Sequence, residues 1–214
     1  LDVMAVGLMM ALVFGRMGCF LNGCCFGRPT ELPWAIRFPY GSFSYVSQIN
    51  PDPARNRAEP YIEVPSDEYA DFFTEQDQWY PKPLEELTDQ QRQEVQKGGY
   101  RPLPVHPTQL YSSVSALAIC GLLCVFWRKS LQLRRSGSGP RWSREGCTIG
   151  LMFVLYGIAR FVLEAIRDDN PLEFAGMTIS QVIGIGLATL GIAVFTLFCC
   201  MKPEKTAVSA DSGA

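Results

Sequence analysis

The residues of this chain best placed to do chemistry are two arginines in apolar surroundings, a single histidine and a small group of cysteines. Arg160 lies inside the run TIGLMFVLYGIARFVLEAIRDDNP, with Tyr156 four residues before it and Glu164 four residues after. At helical spacing the three share one face. An arginine facing hydrocarbon costs several kcal/mol, so it belongs in the bundle interior or in a polar cavity. Arg16 stands where another apolar run gives way to GRMGCFLNGCCFGRPT, whose glycines at 15, 18, 23 and 27 permit close backbone approach and positive φ values. Guanidinium groups hold phosphate in bidentate fashion. Two of them at headgroup depth describe a site for a lipid phosphate, where fixed cations favour charge developing on phosphate oxygens.

His106, the only histidine, opens a second polar cluster, RPLPVHPTQLYSS, with Gln109 and Tyr111 close behind. It is the one conventional general base, although a helix start after His-Pro, with Thr108 in its first turn, has an ordinary capping explanation as well. Of the eight cysteines, Cys120, Cys124, Cys199 and Cys200 sit in apolar runs as small hydrophobes, and Cys147 opens another run. Cys19, Cys24 and Cys25 have C-x4-C-C spacing. That pattern lacks the paired C-x2-C and the four ligands of a zinc site, so no metal and no cofactor are expected. A Cys19 to Cys24 disulfide and a redox dithiol stay open.

These residues must be positioned by membrane helices. Apolar residues gather in Val3 to Gly15, Leu110 to Trp127, Thr148 to Ile166 and Ile179 to Met201, and a spanning helix needs about 20 of them. The last three runs qualify. The first is short and begins at Leu1, so it reads as the end of a helix whose start is missing. The expected fold is an all-α integral membrane protein with four hydrophobic helices, the first truncated, and an irregular extracytoplasmic excursion. The expected segments are a partial transmembrane helix over 1–17, the signature loop and acidic excursion over 18–107, and a transmembrane helix over 108–127. A basic cytoplasmic loop over 128–147, a helix over 148–167, an extracytoplasmic loop over 168–177, a helix over 178–201 and a cytoplasmic tail over 202–214 complete the chain.

Orientation follows from RKSLQLRRSGSGPRWSRE, which sets six Lys and Arg residues against Glu145 and marks the cytoplasmic side; Lys202 and Lys205 agree. Arg167 reads as a snorkelling anchor at a helix end. Within the excursion, WAIRFPYGSFSYVSQI allows a strand or two, and LEELTDQQRQEVQ reads as a short helix between Pro83 and the glycines of KGG. Residues 50–99 otherwise read as a surface excursion tolerant of insertion, and KPEKTAVSADSGA as a disordered tail. A net charge of −2, from 19 basic and 21 acidic residues among 214, gives no footprint for nucleic acid.

Three fragments in order, GRMGCFLNGCCFGRP, HPTQLY and YGIARFVLEAIRDDNP followed by TISQ, resemble the prolipoprotein diacylglyceryl transferase family. The resemblance implies a multi-pass transferase of the bacterial plasma (inner) membrane. Such an enzyme moves the diacylglyceryl group of phosphatidylglycerol to the lipobox cysteine thiol in a prolipoprotein signal peptide, making a thioether and releasing glycerol 1-phosphate, the first step of lipoprotein maturation. Its partners are then phosphatidylglycerol, prolipoprotein signal peptides and membrane lipid.

Carried over by residue, the resemblance implies a catalytic set of Arg16, Arg160 and His106, with Arg16 touching the phospholipid. The substrate-binding set is Arg16, Asn22, Gly23, Gly27, Arg28, Gln109, Tyr111, Tyr156 and Glu164, while Pro107, Leu110, Gly157 and Arg167 complete the matched motifs. Cys19 stands where the common signature has Asn, and Cys24 where it often has Glu. The family also has an upstream histidine-glycine-glycine segment that this sequence does not contain, which leaves open both the base and the activity of this chain on its own. Two other readings compete: a non-catalytic membrane subunit or transporter with a buried Arg160 and Glu164 pair, and a membrane thiol oxidase using Cys19, Cys24 or Cys25.

Overall fold

The computed structural model describes residues 2–137, 139–168, 170–173 and 176–201; the expected disordered tail over 202–214 lies outside them. The protein is an all-α membrane protein. Among the described residues, four helices are long and apolar enough to cross a bilayer: α1 (Asp2–Asn22), α5 (Thr108–Arg135), α6 (Cys147–Glu164) and α7 (Ile179–Cys200). Between α1 and α5 lie α2 (Phe43–Ile49), α3 (Ser66–Tyr69), the strands β1 (Ala70–Phe73) and β2 (Gln78–Pro81), and α4 (Asp89–Lys97).

Two helices outrun the sequence expectation. The first does not end near residue 17: Gly15 and Gly18 have open space around them, and the helix continues to Asn22, giving 21 residues. Arg16 therefore lies within the helix rather than at its end. The second does not stop at residue 127 but runs on through the basic stretch to Arg135. Arg, Lys, Leu and Gln are good helix formers, and Arg134 and Arg135 in the last turn suit the negative helix pole. The third helix is shorter than expected, ending at Glu164 and leaving Arg167 beyond it.

Packing among the four relies on small residues, because lipid tails supply no hydrophobic drive between helices. Helices α6 and α7 run antiparallel with glycines at the contact: a Cβ on Gly157 would lie 2.5 Å from the Gly184 carbonyl oxygen, and one on Gly191 2.7 Å from the Val154 nitrogen. Helix α1 lies on α5, where Ser113 Oγ donates to the Val13 carbonyl at 3.1 Å and Cys120 Sγ approaches the Val6 carbonyl at 3.6 Å. Ala5, Met9, Ile119, Cys120, Leu123 and Met152 form the core of these helices. Exposed Leu8, Val114, Ile158 and Leu190 present an outward apolar surface.

The bundle has two distinct ends. At the basic end, the Asp2 carboxylate accepts from the Gly146 nitrogen at 3.1 Å, capping α6, and Arg134 pairs with Glu145 at 2.9 Å. The signature motifs and the excursion occupy the other end.

The excursion is more ordered than a surface loop. In place of the strands expected in WAIRFPYGSFSYVSQI there is α2, started by Ser42, whose side chain accepts from the Tyr45 nitrogen. The hairpin lies later, with β1 and β2 antiparallel and Ala70 opposite Pro81. The expected short helix is α4, beginning at Asp89 after a Thr88 and Gln91 capping box and ending on left-handed Gly98. Tyr45, Ile49 and Ala70 form a separate core with Tyr40, Ile62, Val64 and Trp79. Asn50 joins α2 to the hairpin, its Nδ2 donating to the Val46 and Trp79 carbonyls at 2.8 Å each and its Oδ1 accepting from the Trp79 nitrogen at 2.7 Å.

Candidate functional site

The three signature motifs meet through backbone contacts. After α1, Gly23 takes a positive φ of 73° and Cys25 one of 61°, reversing the chain. The Gly27 nitrogen then donates to the His106 carbonyl at 3.0 Å, and the Arg28 nitrogen to the Ile166 carbonyl at 3.0 Å. Only glycine suits position 27, since a Cβ there would lie 2.6 Å from His106 Cβ and 2.8 Å from Thr108 Cγ2. Thr108 Oγ1 donates to the Cys25 carbonyl at 2.5 Å and Gln109 Nε2 to the Cys24 carbonyl at 2.6 Å. Both side chains are buried, so the start of α5 holds the signature turn from beneath.

A narrow cleft of about 20 Å³ opens between α1, α5 and α6, lined by Arg16, Ser112, Ser115, Tyr156 and Arg160 over apolar Leu12, Ala116, Ile119, Ala159 and Leu163. It brings Arg16 and Arg160 together from helices far apart in sequence. Arg160 Nη2 donates to Ser180 Oγ at 2.8 Å and lies 3.7 Å from Glu164 Oε2. Glu164, 2% exposed, also pairs with Arg167 Nη1 at 3.4 Å and accepts from Asn170 Nδ2. Its carboxylate thus orients both arginines from behind the cleft.

The snorkelling reading of Arg167 is wrong. The residue is 5% exposed, and its backbone bridges to Gly27, because the chain turns back under the signature loop once α6 ends at Glu164. The neighbouring Asp168 receives Arg55 Nη1 at 3.5 Å and Arg57 Nη1 at 3.3 Å, and Arg55 Nη1 also donates to the Arg167 carbonyl at 2.6 Å. Burial raises the Asp168 carboxyl above its ordinary pKa; Arg55, Arg57 and Arg28 oppose this without cancelling it. The excursion is therefore clamped to the end of α6 by buried charge.

The other expected residues do not line the cleft. His106 Nδ1 lies 3.3 Å from Tyr111 Oη, which accepts from Trp34 Nε1 at 2.7 Å. Gln109 and Gly23 serve the signature turn, and the Asn22 and Arg28 side chains are exposed. Ser112, Ser115 and Ser180 were missed by motif reading; the i, i+3 spacing of Ser112 and Ser115 beyond Tyr111 is the signal that could have found the first two. The turn carries Cys24 and Cys25 back over the end of α1, so the sulfurs of Cys19, Cys24 and Cys25 all lie within 4.8 Å of one another, and Arg16 Nη1 reaches Cys25 Sγ at 3.9 Å.

The arrangement sets two arginines on one cleft at the signature end of the bundle. The family model described as prolipoprotein diacylglyceryl transferase matches residues 1–197. The chain belongs to that family. It is 24% identical over 197 residues to the phosphatidylglycerol–prolipoprotein diacylglyceryl transferase of Clostridium tetani, an overlap covering 92% of this chain and 52% of the relative. It is 26% identical over 207 residues to that of Rhodospirillum rubrum, covering 94% of this chain and 51% of the relative. The chain thus spans about half the length of the curated family members it matches.

Proposed function

We propose that the protein acts in the transfer of the diacylglyceryl group from phosphatidylglycerol to the lipobox cysteine thiol of prolipoproteins, at the outer face of a bacterial inner membrane. The observation that carries this reading is the convergence of Arg16 and Arg160 on one cleft between three apolar helices. The reading is supported by the names of its relatives. The basic residues between Arg128 and Arg144 favour a cytoplasmic basic end by the positive-inside rule, which puts the signature end outside.

The reaction is a displacement at the glyceryl carbon joined to the phosphodiester. The thiolate sulfur forms a bond to that carbon, the carbon–oxygen bond breaks, and glycerol 1-phosphate leaves with the bonding electron pair. The thiol proton passes to a base or to the departing phosphate. Arg16 and Arg160 stabilise the charge gathering on the phosphate oxygens, an effect enlarged where water is excluded. Glu164 and Ser180 hold Arg160 in place, while Tyr156, Ser112 and Ser115 supply polar contacts in the cleft. Lying outside the cleft, His106 has a positioning part: its carbonyl receives Gly27 and its ring meets Tyr111.

Arg16→Lys and Arg160→Lys in membrane-embedded protein should each reduce transfer of labelled diacylglyceryl to a lipobox peptide by about 100-fold or more, the cost of losing one preorganised charge-stabilising group. Lysine keeps the charge and loses the fork. Near-normal turnover in either variant overturns the assignment. The rival reading, a purely structural ion pair, expects Arg160 and Glu164 to be replaceable together by Leu without loss.

A further inference from the structure

We infer that Cys19, Cys24 and Cys25 form a binding site for a thiophilic divalent d10 cation, of which Zn(II) is the type. The three sulfurs lie within 4.8 Å of one another and draw closer to share a centre at metal–sulfur distances of about 2.3 Å.

The scaffold around the thiols is built rather than incidental. Cys19 belongs to the last turn of α1, and the return of Cys24 and Cys25 over it requires φ values of 73° at Gly23 and 61° at Cys25. A left-handed backbone at a non-glycine residue persists only where its surroundings enforce it. Here Gln109 Nε2 and Thr108 Oγ1 fix the carbonyls of Cys24 and Cys25 at 2.6 Å and 2.5 Å, and both side chains are 1% exposed. Gln109 Oε1 is buried and accepts no hydrogen bond from the described residues, which offers a nearby acceptor for water carried by the ion as a fourth ligand.

Charge selects the kind of ion. Three thiolates around a divalent cation carry one net negative charge, and Arg16, 3.9 Å from Cys25 Sγ, supplies one positive charge. A monovalent soft ion would leave an excess negative charge at the membrane boundary, a costly arrangement. Binding replaces thiol protons by the metal and releases them to solvent, so affinity falls as pH falls. The site adjoins the cleft through Arg16 but does not depend on the transferase reading, because it rests on the thiols and their scaffold alone.

The test uses the full chain, reduced and in lipid nanodiscs, titrated anaerobically with Zn(II) against a chromogenic chelator and with Co(II) as a spectroscopic probe. The expected results are one Zn(II) per chain, a thiolate-to-cobalt charge-transfer band, and X-ray absorption of the wild-type zinc form showing three sulfur ligands. Cys19→Ser, Cys24→Ser and Cys25→Ser should each weaken Zn(II) binding at least about tenfold, since even outer-shell partners cost that much. Cys147→Ser, at the other end of the bundle, should leave it unchanged. The inference fails if reduced wild-type protein binds no Zn(II), if a nitrogen and oxygen ligand set dominates, if Cu(I) binds where Zn(II) does not, or if binding follows Cys147. It also fails if protein isolated without reductant carries a Cys19 to Cys24 disulfide and no metal. The wild-type measurements decide the matter even where a serine variant does not fold.

Discussion

The two ends of α6 treat buried charge in opposite ways. At the N-terminal end one carboxylate, Asp2, meets the backbone nitrogen of Gly146, where the positive helix pole favours an anion. The contact closes α1 onto α6, and beside it Arg134 and Glu145 pair one to one at 2.9 Å. At the C-terminal end one carboxylate, Glu164, serves Arg160 and Arg167, while Arg16 enters the same region from α1. Three guanidiniums against one carboxylate leave positive charge over, and in a segment surrounded by apolar side chains that excess invites an anion. The ion pair beside Asp2 is matched one to one, and the group around Glu164 is not.

The sharpest way to break this comparison is to remove Glu164. Glu164→Ala should destabilise the protein by about 3–5 kcal/mol, the cost of leaving buried charges without their partner, read by denaturant unfolding in detergent. Diacylglyceryl transfer should fall with it, because Arg160 loses its orientation. The double variant Glu164→Ala with Arg167→Met should recover part of the stability and little of the transfer. If Glu164→Ala unfolds no more readily than wild type, the arginines are not buried against it and the contrast between the ends dissolves.

A second, smaller effect separates the ends by how they are assembled. Gly27→Ala puts a methyl group against His106 Cβ and Thr108 Cγ2, where the crossing backbones have little room to part. Overpacking of this kind costs about 1–3 kcal/mol. The measured loss should come with loss of the Trp34 to Tyr111 hydrogen bond, which depends on the same register, and tryptophan fluorescence checks it. A stability equal to wild type would mean that the signature turn yields easily.

The site was legible in the sequence only where regular geometry carried it. Arg160 and Glu164 were placed on one helix face by their spacing, and the depth of Arg16 and Arg160 in apolar runs pointed to their convergence; both line one cleft. What escaped depends on the chain leaving regular structure. Arg167 continues the helical pattern on paper, yet α6 stops at Glu164 and the following turn buries it. Cys19, Cys24 and Cys25 have spacing unlike a metal motif, and only a left-handed Cys25 gathers their sulfurs. Arg55 and Arg57 fall in the stretch that reads as a surface excursion, and nothing local marks Asp168, more than a hundred positions away, as their partner. Contacts made by turns and by distant ion pairs have no periodicity to read.

The smallest effect is expected at the Asp2 end, and it is the control for the rest. Asp2→Asn keeps an acceptor for the Gly146 nitrogen, since Asn caps helices about as well as Asp, and removes only the charge facing the helix pole. The loss should be about 0.3–1 kcal/mol, and transfer should be unaffected because Asp2 lies at the end of the bundle away from the cleft. Unfolding and transfer assays on this variant test the comparison from its quiet side. A loss as large as that of Glu164→Ala would show that Asp2 holds α1 against α6 far beyond a single cap. Both ends of α6 would then depend equally on one carboxylate, and the surplus of guanidinium charge at the signature end would no longer distinguish a binding site from a structural joint.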